Sequence, residues 1–493
     1  MNESIYEYIS DHVNEKGELP KGFSLPKERE IDEAVYRDGE IDGMITFHEM
    51  PFDKDISTLK KVLSLASSRD TAEASGLLEG YFQDSKHRML SLYNNFRSFV
   101  ISEQQRLVPD ALFEFAASTL VSSGNPECVK LALSLMELLD TDDNDAVREA
   151  VMTLGLSDEL TLFSVFVAET WKDGNDAILA LAKKTHGFGR IQAIEHLDAT
   201  KGRVKDWLFR EGVNNTISGS YSAYTVAEKI DFLKVLGNPA FEAVDYHFAA
   251  PIMEGLLNEE SLLGISKLAN RTELLEAYLK QAEKYPQNEY ILMVLCGIHD
   301  YTENKIFTRS GAIGERCEKL LGSQEVRETL DQLLAEGRGF RIAERLKIDC
   351  TEEVLKSLDE DFYKHYEFMD LAAKNEASLD RLLSLVSGKL DLAAIAIGPE
   401  DNLGADHEKY RPCFALSYLM TVLEPYPGKG ENFISAAMQA PINATRAQAL
   451  HTLDAWFRTK SYTLSAAVRA AIEKLRATEV NSDNITLLNS LAI

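Results

Sequence analysis

A cluster of bases in an acidic chain is the first place to look for chemistry. From Lys183 to Arg210, the bases Lys183, Lys184, Arg190, Lys201, Arg203, Lys205 and Arg210 outnumber the acids Glu195, Asp198 and Asp206, although the chain carries a formal net charge of -27. Two readings fit. The bases form a solvated edge paired with acids of neighbouring helices, or Arg190, Arg203, Lys205 and Arg210 line a concave pocket for a small anionic ligand or an acidic peptide. Arg341 joins the binding candidates through an echo in the sequence. "GFGRIQAIEHL" from Gly187 and "GRGFRIAERL" from Gly337 both run Gly-x-Gly, then Arg-Ile, Ala, Glu and Leu.

The Gly-x-Gly pairs invite a phosphate reading, because glycine lets backbone N–H groups approach an anion closely. Neither pair has the third glycine of a dinucleotide fingerprint, and neither follows a strand with an acid about twenty residues further on. Gly428-Lys429-Gly430, after Pro425 and Pro427, reads as a turn. Metal ligation fares no better. His48-Glu49 begins a zincin-like pattern, but Phe52 stands where the second histidine is needed. Asp401, Asp406, His407 and Glu408 would have to curl around a cation, and loose acids are common in so acidic a chain. Cys128, Cys296, Cys317, Cys350 and Cys413 are scattered with no CxxC pair, which argues against a zinc knuckle and a disulfide framework. No catalytic residue, metal set or cofactor is assigned from these patterns.

Charge also bears on partners. A large negative total repels nucleic-acid phosphates and anionic membrane surfaces, so neither is an expected partner. Asp206-Trp207 beside Arg203, Lys205 and Arg210 has the ingredients of a base-handling site, as does "DAWFR" from Asp454. Both tryptophans also fall on apolar helix faces, Trp207 with Val204 and Leu208, Trp456 with Leu453 and Phe457. The N-terminus lacks a basic stretch followed by an apolar run, and the longest apolar runs are too short to span a bilayer. A reduced, cytoplasmic setting is expected.

The elements that must position these residues are helices. "DISTLKKVLSLASSRD" puts Leu59, Val62, Leu63 and Ala66 at helical spacing. Further along, Asn125-Pro126 and Asp142-Asp143-Asn144-Asp145 punctuate the chain as helix starts do. "GNPECVKLALSLMELL" and "DNDAVREAVMTLGL" share a layout in which Val129-Lys130 matches Val147-Arg148, and "APINATRAQALHTLDAWF" repeats the theme. Helix pairs that cannot bury their own apolar faces stack on neighbours. The expected fold is all-α, an irregular α-solenoid of HEAT/armadillo-like helical hairpins with a short N-terminal extended arm. The expected divisions are an arm at 1–56, a repeat array at 57–396, a polar loop at 397–415 and C-terminal helical repeats at 416–493. Within the arm, Met44, Ile45, Thr46 and Phe47 read as a short strand or extended run.

The segments "GRIQAIEHL…VKDWLFREG" and "API…R…ALHTLDAW" resemble a group of bacterial HEAT-like repeat proteins, some of which carry the label limonene hydroxylase. The resemblance touches a small part of the chain and implies a helical-repeat fold. Hydroxylase chemistry on haem or flavin needs axial ligation or a cofactor fold, and these residues supply neither. The function expected from the sequence is a non-enzymatic scaffold that binds a protein or peptide partner through an extended groove. The alternative is an enzyme on a helical-repeat frame, either DNA-glycosylase-like or metal-dependent.

Overall fold

Two asparagines show why helices start where they do. The side chain of Asn125 accepts the Glu127 N–H at 3.0 Å, and Pro126 occupies the first helical position, where no N–H is needed. Asn144 accepts the Val147 N–H at 3.1 Å in the same way. The helices Pro126–Met136 and Asp145–Leu154 start from these caps. The computed structural model describes residues 4–26, 29–31, 34–84, 86–259, 262–459 and 462–491. Almost all of its regular structure is helical, and a two-stranded antiparallel hairpin, Arg29–Ile31 with Ala34–Tyr36, is the exception.

The chain divides into two compact units, Met1–Pro286 with Gly297–Cys317, and Gln287–Cys296 with Glu318–Ile493. In the first, helices pack in pairs: Ser57–Ser67 on Thr71–Tyr81, Pro109–Ser122 on Pro126–Met136, Gly174–Lys184 on Phe188–His196, and Ser220–Ile230 on Ala243–Leu257. Phe96, Phe115, Phe163 and Tyr246 are fully buried there. The fold is an irregular helical repeat, as the apolar periodicity predicts. The five cysteines are free and buried, in keeping with their reading as small apolar side chains.

In the second unit, His407–Leu423 packs on Asn443–Arg458. Thr445, Thr452 and Trp456 stitch the pair together by donating to the carbonyls of Cys413 (3.1 Å), Met420 (2.9 Å) and Leu423 (3.0 Å). Trp456 is fully buried, so its core reading holds.

Two local expectations change. The run around Met44 to Phe47 is not extended. It belongs to the helix Glu40–His48, and the expected extended arm before it holds the helix Ile5–His12 and the hairpin. The segment 397–415 is irregular only as far as Asp406, whose carboxylate caps the helix starting at His407 by accepting the Lys409 N–H at 3.1 Å. The irregular part is tightly laced. Gly398 N–H donates to Gln439 at 2.8 Å, Asn443 N–H to Asn402 at 2.9 Å, and Arg446 to the Glu400 carbonyl at 2.9 Å. Arg446, with no exposed side-chain surface, also forks onto both oxygens of Glu479 at 2.6 and 2.7 Å.

Candidate functional site

The turn Thr185–Gly189 is shaped by a carboxylate. Asp158 accepts the N–H of Gly187 at 3.1 and 3.2 Å and that of Gly189 at 3.0 Å. A Cβ on Gly187 would stand 2.6 Å from Asp158 Oδ2, and one on Gly189 would stand 2.2 Å from Thr161 Oγ1. Glycine is needed at both positions by close approach alone. The anion held by the two glycine N–H groups is therefore internal, the Asp158 carboxylate. In the second unit Gly339, left-handed at φ 70° just before the helix Phe340–Arg345, donates its N–H to Glu289 at 2.8 Å. The sequence echo is thus architectural. In each copy the second glycine ties a helix start to a carboxylate, and a buried phenylalanine, Phe188 or Phe340, opens the helix.

Burial pushes the Asp158 carboxyl up to about 6, with the nearby Asp38 adding to the rise and the two glycine N–H groups opposing it. The helix it starts, Phe188–His196, is also held at its far end. There the Lys229 ammonium donates to the carbonyls of Glu195 and Leu197 at 3.0 and 2.6 Å, satisfying oxygens that a helix C-terminus leaves open.

Helix Glu40–His48 docks against this turn. The Phe188 side chain meets Gly39 at its Cβ and lays its ring over Gly43, where an added Cβ would stand 2.3 Å from a ring carbon. Gln192 donates to Thr46 at 3.2 Å, and the His48 ring meets the Tyr221 hydroxyl at 2.8 Å. Beneath the helix lies a sealed ionic cluster. Lys130 Nζ stands 2.7 Å from Asp42, 2.7 Å from Glu159 and 3.0 Å from Glu127. Glu127 also accepts the Met89 N–H at 2.6 Å, and Glu159 the Gly39 N–H at 2.8 Å. Arg88 approaches Glu127 at 3.8 Å. Three carboxylates thus face two cations. Burial raises the Asp42 carboxyl to about 7, against the pull of Lys130 and with help from Glu159 and Glu127.

The five residues singled out from sequence have separate fates. Arg190 is buried, donating to the Glu211 carbonyl at 2.8 Å with its guanidinium 5.1 Å above Trp207. Arg203 is exposed and paired with Asp176. Arg341 belongs to the second unit, where it forks onto Asp370 at 2.6 and 3.1 Å and meets Tyr418 at 3.0 Å. Lys205 and Arg210 share a cavity, a hollow of about 340 Å³ that also takes in Lys234, Phe209 and Phe241. Arg210 carries its guanidinium 5.0 Å from the Phe248 ring.

The metal candidates drawn from sequence do not assemble. Asp401 accepts from Asn443 and Asn481, Asp406 caps a helix, and His407 stacks on Phe414. Among the described residues, His299, Asp300 and Glu303 bring their ligand atoms within 4.8 Å of one another on one helix face. Sequence reading missed Asp42, Lys130, Asp158 and Glu159. The signal for Lys130 was present, since it is the lone cation in "PECVKLALSLM", a segment otherwise suited to burial on every side.

A larger cavity, about 630 Å³, opens between the N-terminal segment around Leu19–Ser24 and the turn Lys184–Gly187. No helix among the described residues is long and apolar enough to cross a membrane. No protein-family model matches this chain, and no curated protein or solved structure matches it either.

Proposed function

We propose that the chain is a non-enzymatic helical-repeat scaffold of the HEAT/armadillo-like kind, binding an acidic segment of a protein partner. The observation that carries this reading is the hollow beside Gly202–Glu211. Lys205, Arg210 and Lys234 line it without an ion pair among the described residues, next to the rings of Phe209 and Phe241. Of its two acids, Asp245 is occupied in accepting the Glu242 N–H at 3.0 Å. Unpaired cations beside aromatic surface suit an acidic peptide with an apolar anchor. Ionic groups placed between helices support the scaffold reading from another side. Lys130, Asp158, Arg341 and Arg446 each bind the helices of their own unit together.

The test is affinity capture from native lysate by the full chain, comparing wild type with Lys205→Glu/Arg210→Glu at matched melting temperature. The reading requires a stoichiometric protein held by wild type and lost from the double variant. Equal capture by both, or none by wild type, removes it.

A further inference from the structure

The cavity beside the Lys184–Gly187 turn has an ionic imbalance that packing does not use. Both of its acids are occupied within the fold. Asp158 accepts the Gly187 and Gly189 N–H groups, and Asp38 accepts the Leu25 N–H at 3.0 Å and the Ser24 hydroxyl at 3.3 Å. Lys21, Arg37 and Lys184 also line the cavity, and none of them has an ion pair or side-chain hydrogen bond among the described residues. The chain holds 79 acidic and 52 basic side chains, yet these three bases converge on one cavity whose two acids are engaged elsewhere.

Two of these cations are positioned by the fold. Lys184 ends the helix Gly174–Lys184, and its ammonium rests against the Gly17 turn, where a Cβ would stand 2.8 Å from Nζ. Arg37 follows the strand Ala34–Tyr36 directly. The remaining wall is apolar in part, with Leu19, Phe23, Leu156 and Ile217 facing the same space. A volume of about 630 Å³ falls in the range of small-molecule sites, which combine apolar walls with a few placed charges.

We propose that this cavity binds a small amphipathic organic anion, whose acidic head is neutralised by Lys21, Arg37 and Lys184 and whose apolar body covers Phe23, Leu156 and Ile217. The head is a carboxylate, sulfonate or phosphate, held by side-chain cations, because the Gly187 and Gly189 N–H groups are already taken by Asp158. The site is separate from the peptide hollow, with which it shares no lining residue.

The experiment is a fluorescence titration of the full chain with anilinonaphthalene sulfonate, an amphipathic anion, and with the neutral N-phenylnaphthylamine as its uncharged counterpart. Saturable binding of the sulfonate is expected, weakened by about tenfold or more in Arg37→Glu/Lys184→Glu, as reversal of two charge-assisted contacts requires. The Lys205→Glu/Arg210→Glu variant should bind the probe as wild type does. Should the charge-reversed pair fail to fold, Arg37→Gln/Lys184→Gln replaces it, with a loss of about threefold or more expected. No saturable binding by wild type overturns the proposal. So does unchanged affinity in a folded cavity variant, equal affinity for the neutral amine, or loss confined to the Lys205/Arg210 variant.

Discussion

The Lys130 ammonium lies 2.7 Å from the Asp42 carboxylate, and neither side chain is more than 4% exposed. One residue comes from the early helix Glu40–His48 and the other from the repeat helix Pro126–Met136, so this pair fastens that helix to the array. Removing Lys130 leaves Asp42, Glu127 and Glu159 with Arg88 alone, 3.8 Å from Glu127, among the described cations of the cluster. Lys130→Met should therefore cost about 3–5 kcal/mol of stability, the range for breaking a buried pair from one side. Urea denaturation measures it. Adding Asp42→Leu should recover part of the loss, because the two sites couple.

The same cluster makes stability depend on pH in a direction opposite to that of an ordinary surface carboxylate. Asp42 binds its proton more tightly when folded, at about 7, than at its ordinary 3.8. Between those values the native state holds more protons than the unfolded one, so the contribution of this group falls as pH rises. It is fully present below 3.8 and lost once pH has passed 7. Asp158, raised to about 6, acts in the same sense over a narrower window. Denaturation across this range should show Asp42→Asn gaining on wild type as pH rises, with a constant difference above the upper limit. A difference that stays flat throughout the range would contradict it.

At the glycine turn, Gly189→Ala should destabilise by about 1–3 kcal/mol, because its Cβ has to displace Thr161 or Asp158. Gly202→Ala is the control. Nothing lies within 4 Å of a Cβ there, so the change should be neutral or mildly stabilising, by up to about 1 kcal/mol as for other helical glycines. Thermal melts of the two variants separate crowding from a general sensitivity of glycines.

Gly43 and Phe188 form a lock that a double-mutant cycle can read. Gly43→Ala forces its Cβ into the Phe188 ring and should destabilise by about 1–3 kcal/mol. In the background of Phe188→Leu the same change should cost less, giving a coupling of about 0.5 kcal/mol or more. Additive costs would show that the ring does not hold the helix.

Two arginines should behave very differently on truncation. Arg203 pairs with Asp176 at an exposed edge, and Arg203→Gln should alter stability by less than about 1 kcal/mol. Arg446 is buried and forks onto an equally buried Glu479, so Arg446→Met should cost about 3–5 kcal/mol. Chemical denaturation of both variants decides the contrast.

Periodicity and caps made most helices legible, since Asn125 and Asn144 announce starts that tertiary structure keeps. Trp456 was readable for the same reason, lying on an apolar stripe. Helix Glu40–His48 was not. Gly39, Gly43 and the β-branched Ile45 and Thr46 lower its intrinsic propensity, and what stabilises it is remote: Lys130, Phe188 and Tyr221. The site residues were hidden by the same distance. Asp158 reads as one more acid in an acidic chain until the fold lays it under Gly187 and Gly189. Arg190 reads as an exposed base because the sequence does not show Trp207 and Glu211 closing over it.

The docking of helix Glu40–His48 also has a consequence for the order of assembly. The segment leaves the ribosome early, whereas Phe188, Gln192 and Tyr221, which complete its seat, are made much later. Contacts so distant in sequence form slowly and raise the loop-closure cost of folding. Until Phe188 and Tyr221 have emerged, the nascent chain carries the helix with its Gly39/Gly43 face uncovered. The first unit is therefore a late-closing structure, with the seat of this helix completed only when residues far down the chain are in place.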